Sequence, residues 1–375
     1  MDKKNYYNTI TSQIEELKEL ADIQTEKCFD VEKLGALLSD DAYAGLQRVV
    51  LTGCGDSYSA CGAMLQAFKI LSGIELAVVP DPMEFTRYYT EWDTKLGYSD
   101  EQVLVTAVSA SGGSERIVEI LEKGNKMGVN TMLISNNPES KGAKAAKTVY
   151  WVETPEGCNT PGLRSYFASM IAITALGAYI GLKKNLLSLE RFTKLKQEIA
   201  NYVKDFMKEF ERIDDQAFEL ALQMKEYDKF ETVGDGPDYF SALFVEQKVI
   251  ECPGVFCMHS NSEEWCHISM MVRDNEHIGT VFHATKASPS YGRMVDTTWG
   301  AAQLGRPSLV VTDGDPKDFN EKLNLCIVPS APEYWLAPLM NFCPGSLLVA
   351  YQAAVNDKNF FGGRYNFRTK EFKFD

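Results

Sequence analysis

The chain has 375 residues, with 38 Lys and Arg against 52 Asp and Glu, a formal net charge of −14 and a hydrophobic share of 45%. That length suits two domains of ordinary size, while the acidic balance excludes nucleic acid and anionic lipid as main partners and obliges any phosphorylated ligand to find local positive potential. Nine cysteines without a CxxC pair point to neither a disulfide framework nor a zinc centre, and fit reduced thiols in the cytoplasm.

The N-terminal stretch MDKKNYYNTITSQIEEL has no apolar core or small-residue cleavage site, so it does not read as a secretory signal and a cytoplasmic protein is expected. Ile10, Ile14, Leu17, Leu20 and Ile23 recur at helical spacing and predict one helix over residues 5–27. From Arg48 short apolar runs alternate with amphipathic segments. VVLTG (49–53) is followed by a helix over 57–72, ELAVV (75–79), QVLVTAVS (102–109), a helix from Gly113 to Met127, TMLIS (131–135) and TVYWV (148–152). Such alternation predicts a parallel sheet with right-handed crossovers. Phe167 to Leu182 is apolar but short for a hydrocarbon layer about 30 Å thick, and it carries Ser, Thr, Gly and Tyr, so it reads as a buried helix and no membrane partner is expected.

A charged helical connector over 184–226 separates this unit from a second start of the same scheme. There KFETVGDG (229–236) leads into a helix over 239–250, then VFCMH, a helix near 262–273, HIGTVFHA (277–284), a helix near 290–303 and SLVVTDGD (308–315). VVLTGCGDSYSA matches ETVGDGPDYFSA at a spacing of about 180 residues, which predicts an internal duplication. The expected fold class is therefore α/β: two parallel-sheet α/β sandwich domains. An N-terminal helical segment occupies 1–45, the first domain 46–183, the connector 184–226, the second domain 227–355 and a C-terminal tail 356–375.

Gly53-Cys54-Gly55-Asp56-Ser57 follows a strand and opens a helix, where unpaired backbone N–H groups and the helix dipole attract anions. VTAVSASGGSE repeats the arrangement, so hydroxyls of Ser109, Ser111 and Ser114 together with main-chain N–H groups would cradle phosphate oxygens without a lysine. The competing reading is that these serines only cap the following helix. Such loops converge at the carboxyl ends of strands near a topological switch point.

On these residues the chain resembles the SIS (sugar isomerase) domain proteins, in particular the isomerase half of glucosamine-6-phosphate synthase and the fructosamine-6-phosphate deglycases, over about residues 45–370. The resemblance implies two SIS domains, phosphate held at Gly55, Ser57, Ser109, Ser111 and Ser114, and a departure at Asp56, where the family often has a neutral residue and a carboxylate would face a dianion. It also implies a catalytic Glu251 at a helix end and, sixteen residues later, a catalytic His267 closing Ser262-Glu-Glu-Trp-Cys-His267, with Glu264 as an acidic substrate-binding position. The usual His-Gly-Pro is replaced by His267-Ile268-Ser269. The tail segments WLAPLMNFCP and NFFGGRYNF are closest to the deglycases, and Lys370 is a loosely aligned candidate for a sugar-site lysine; the loop Glu153 to Arg164 departs from the synthase pattern.

The chemistry fits these residue types. Aldose–ketose interconversion or ketosamine cleavage opens a sugar ring and moves a proton between neighbouring carbons, tasks for the Glu251 carboxylate and the His267 imidazole. The expected ligand is a sugar phosphate or ketosamine phosphate, with no cofactor and no metal, in a homodimer or larger assembly that shares its active sites. The roughly 45 residues ahead of the first domain leave no room for a glutamine-hydrolysing domain. The alternative is a non-catalytic sugar-phosphate-binding regulator.

Overall fold

β1 (Arg48–Gly53) and β2 (Val103–Val108) are buried at every position, the continuous apolar runs of strands covered on both faces. With β3 (Asn130–Ser135) and β4 (Thr148–Trp151) they form a four-stranded parallel sheet in the order β1-β2-β3-β4. A second, five-stranded parallel sheet holds β5 (Lys229–Val233), β6 (Phe256–Ser260), β7 (Gly279–Ala284), β8 (Ser308–Thr312) and β9 (Asn324–Ile327) in the order β6-β5-β7-β8-β9. These relations come from a computed structural model that describes residues 1–158 and 160–363.

The strand expected over 75–79 is reduced to one bridge. Leu51 N–H donates to Val78 O at 2.9 Å and Val78 N–H to Val49 O at 3.0 Å. Pro80 and Pro82 follow immediately, and residues without an N–H cannot extend a ladder. The bridge nevertheless occupies the place that β6 holds beside β5, so both repeats share one strand order and one switch point, between β1 and β2 in the first and between β5 and β7 in the second.

Two further expectations are corrected. The helix over 5–27 is two helices, Thr9–Glu15 and Leu17–Cys28, and Ile23 faces solvent while Ile10, Ile14, Leu17 and Leu20 are buried. The helix near 262–273 stops at His267, after which Arg306 holds the chain by donating to Ser269 O and Asn275 Oδ1. β9, a four-residue edge strand, was not anticipated. The connector forms helices Leu189–Lys208 and Phe210–Gln223, whose apolar stripes are buried.

Helix Leu163–Lys183 is long and apolar enough to cross a membrane by length and composition, but 89% of its apolar window is buried inside the protein, so it serves as a core helix. One apolar core runs through both repeats, from Val49 and Leu51 to Phe244, Val245 and Leu347. The repeats meet through equivalent helices, Asp56–Ala63 and Pro237–Glu251, packed antiparallel: Phe240 lies against Gly62, and Ser59 Oγ donates to Gln247 Oε1 at 3.2 Å. That packing carries the start of the first helix to the end of the second.

Candidate active site

Gly55 turns the chain from β1 into its helix with φ 58° and ψ −127°, a conformation that a side chain resists. Gly55 at the start of Asp56–Ala63 and Ser114 at the start of Glu115–Lys126 make no side-chain capping bond. Asn8, Ser140, Ser188 and Asn261 do cap their helices. The helices that follow β1 and β2 thus start without a side-chain cap, and helix N-termini of this kind favour anions. Helix Leu163–Lys183 is closed differently, since Gln13 Oε1 accepts from the N–H groups of Leu163 and Arg164 at 3.2 Å each.

Ser109 and Ser111 shape the second turn: their hydroxyls accept from Gly112 N–H at 3.1 Å and Gly113 N–H at 3.4 Å. The capping alternative fails for Ser114, whose side chain does not cap its helix.

Asp56 does not present its carboxylate to this cradle. It crosses to the second repeat, where Lys248 Nζ donates to Asp56 Oδ1 at 2.9 Å and Oδ2 at 3.1 Å, and to Glu251 Oε2 at 2.5 Å. The Lys248 side chain is fully buried, while those of Asp56 and Glu251 keep 24% and 29% exposure. An ammonium in this position is tolerable only because two carboxylates compensate it. Burial opposes its charge, but Asp56 and Glu251 outweigh burial and raise the Lys248 pKa above that of an ordinary lysine. Glu251 moves up from the ordinary glutamate range, first through burial and further through Asp56, with Lys248 opposing.

Aromatic rings support the group from below. Lys248 Nζ lies 4.6 Å from the centroid of the Phe244 ring, which stacks on Tyr166 at 3.8 Å. Tyr166 is buried, and its hydroxyl has no hydrogen-bond partner among the described residues. Its helix begins at Gly162, where an added Cβ would lie 2.7 Å from Asp56 Oδ2, so the Glu153 to Arg164 loop ends beside the same carboxylate.

The second repeat copies the turn without copying its chemistry. Gly236 has φ 55° and ψ −123°, and the position matching Ser57 is Asp238. Asp238 is buried and accepts from Thr285 Oγ1 at 2.5 Å, Asn341 Nδ2 at 3.1 Å and Ser241 Oγ at 3.1 Å. Its carboxylate is thus held by side chains of the second repeat.

His267 stands apart from the Asp56, Lys248 and Glu251 group. Its side chain is 66% exposed, and its Nε2 is 3.0 Å from Glu263 Oε1. Glu264 is exposed on the same short helix, its N–H bonded to Asn261 Oδ1. The tail reaches Glu251 through Phe361 N–H, which donates to Glu251 O at 2.7 Å; Lys370 and the rest of NFFGGRYNF beyond Gly363 lie outside the described residues.

Sequence reasoning missed Lys248, Tyr166 and Gln13. Lys248 had a usable signal, because it lies three residues before Glu251 and so on the same helix face. The pairing of Lys248 with Asp56 had none, since that contact depends on how the two repeats pack.

The SIS domain family matches residues 43–179. A glutamine–fructose-6-phosphate aminotransferase (isomerizing) of Gloeobacter violaceus is 24% identical over 331 residues; the chain spans about half the length of that relative, and 84% of the chain is covered. Among solved structures, the C-terminal domain of glucosamine-fructose-6-phosphate aminotransferase from Francisella tularensis superposes with a TM-score of 0.82 at 16% identity, covering 96% of this chain and 99% of that one. Tagatose-6-phosphate ketose/aldose isomerase from Escherichia coli gives 0.70 at 12% identity, covering 94% of each.

Proposed function

We propose that this chain, with an SIS domain over residues 43–179 and the same architecture repeated in its second half, binds a sugar phosphate at the first repeat and moves a proton on it with Glu251. The observation that carries the reading is the meeting of the repeats at Lys248. It brings the turn Gly53–Ser57 and the Glu251 carboxylate to one place. In this reading the N–H groups following Gly55 and Ser114, with the hydroxyls of Ser57 and Ser114, hold the phosphate, and Ser109 and Ser111 shape the loop. Glu251, its pKa raised, takes a proton from one carbon of the opened sugar and returns it to the neighbour through an enediol or, for a ketosamine, an enolamine. The reaction is aldose–ketose isomerisation or deglycation, and the similar fold of a protein named as a tagatose-6-phosphate ketose/aldose isomerase supports the former.

His267 would open the ring, and its exposure asks for a second copy of the chain. Phe256 and Met258 on the edge strand β6, and Ile268, Met270, Met271 and Val272 just after His267, are exposed apolar residues. Covering them in a homodimer would carry His267 toward a neighbouring site.

A thermal-shift and turnover panel of hexose 6-phosphates and ketosamine 6-phosphates, run on wild type and Glu251→Gln, tests the reading. Stabilisation with turnover that disappears in the variant is expected. Stabilisation without turnover in wild type would favour the regulator, to which the exposed His267 also lends support, and no stabilisation by any phosphorylated ligand would overturn the cradle.

A further inference from the structure

We infer that Asp56 is a positioning residue for Glu251, acting through Lys248. The inference rests on the reading of Glu251 as proton shuttle. Lys248 Nζ has three protons, and in its buried position it spends them on Asp56 Oδ1, Asp56 Oδ2 and Glu251 Oε2. An ammonium held from two sides cannot swing wholly to either carboxylate. Asp56 thus fixes where the cation sits and, through it, the Glu251 side chain.

The arrangement also sets the charge of the corner. Two carboxylates around one ammonium leave one net negative charge, which a proton on Glu251 cancels. Without the Asp56 charge, Lys248 would serve Glu251 alone and favour its ionised form. Among the described residues, the other titratable groups that feel these charges are Cys252, next in the chain and buried, and Tyr166, which feels the Asp56 charge from helix Leu163–Lys183. Neither carries a charge near neutral pH, since burial raises both of their pKa values.

The test is a 13C NMR titration of the Glu251 carboxyl carbon, assigned with Glu251→Gln, in wild type, Asp56→Asn and Asp56→Glu. The Glu251 midpoint is expected to fall by about one pH unit in Asp56→Asn and to return most of the way in Asp56→Glu. If Asp56→Asn does not fold, Asp56→Thr supplies the neutral side chain. An unchanged midpoint in a folded neutral variant overturns the inference. With any substrate that wild type converts, the acid limb of kcat should move in the same direction with KM little altered. A wild type inert to the whole sugar-phosphate panel would sink the proton-shuttle reading, while the titration would still decide whether Asp56 controls Glu251.

Discussion

Gly55 and Gly236, about 180 residues apart in the chain, share one backbone conformation, φ 58° and ψ −127° against φ 55° and ψ −123°. An added Cβ meets nothing within 4 Å at either position, so replacement by alanine tests backbone strain alone. Gly55→Ala and Gly236→Ala should each lower stability by about 1–3 kcal/mol in urea unfolding. Only Gly55→Ala should weaken binding of a hexose 6-phosphate by calorimetry, because the second turn carries the Asp238 carboxylate, held by Thr285 and Asn341, where the first carries Ser57. Loss of binding in Gly236→Ala alone would place the ligand in the wrong repeat.

Removing the cation at the junction should be costly. Lys248→Met leaves Asp56 and Glu251 facing each other without compensation, and about 3–5 kcal/mol of stability should be lost at pH 7. The loss should shrink toward pH 4, because Glu251, its pKa already raised, takes up a proton and ends the like-charge repulsion. Unfolding curves at the two pH values check this; a penalty independent of pH would mean that Lys248 contributes by packing on Phe244 alone.

Asp238 gives the fold a pH dependence of its own. Burial raises its pKa from 3.8 to about 6, against the opposing bonds from Thr285, Asn341 and Ser241. A raised folded-state pKa contributes stability that is full below the unfolded value and is lost as pH rises through the folded one. This contribution therefore declines between about pH 4 and pH 6, and Asp238→Asn should flatten stability against pH across that window. An equal slope in wild type and variant would show that Asp238 does not titrate there.

Much of this organisation was legible in the sequence, and the reasons are local. VVLTG and QVLVTAVS announce buried parallel strands, and a glycine after each repeat's first strand announces the turn into a helix. Pro80 and Pro82, visible in the sequence, shorten the 75–79 strand to a bridge, a consequence that the apolar run alone concealed. Asp56 stood out as a misfit beside a phosphate, and its resolution by Lys248 depends on the antiparallel packing of two helices from different repeats. That relation is tertiary, so no local pattern carries it. His267 lies on a segment whose apolar neighbours face solvent, so the ring-opening role proposed for it calls for a second chain, which no local pattern carries.

The apolar segment after His267 makes the assembly testable. Ile268 and Met271 are 63% and 69% exposed, so charged replacements there should leave the monomer fold intact. Ile268→Asp combined with Met271→Asp should sediment as a monomer with unchanged far-UV circular dichroism and should lose turnover. A double variant that stays dimeric would place the interface elsewhere.

The central claim, that Glu251 moves a carbon-bound proton on a sugar phosphate, is tested most directly by isotope exchange. Wild type and Glu251→Gln are incubated with hexose and ketosamine 6-phosphates in D2O, and the C1 and C2 proton signals are followed by NMR. The account predicts that wild type incorporates deuterium at one of these carbons of at least one ligand, whereas Glu251→Gln still binds that ligand and incorporates none. Equal incorporation by the two proteins would contradict it.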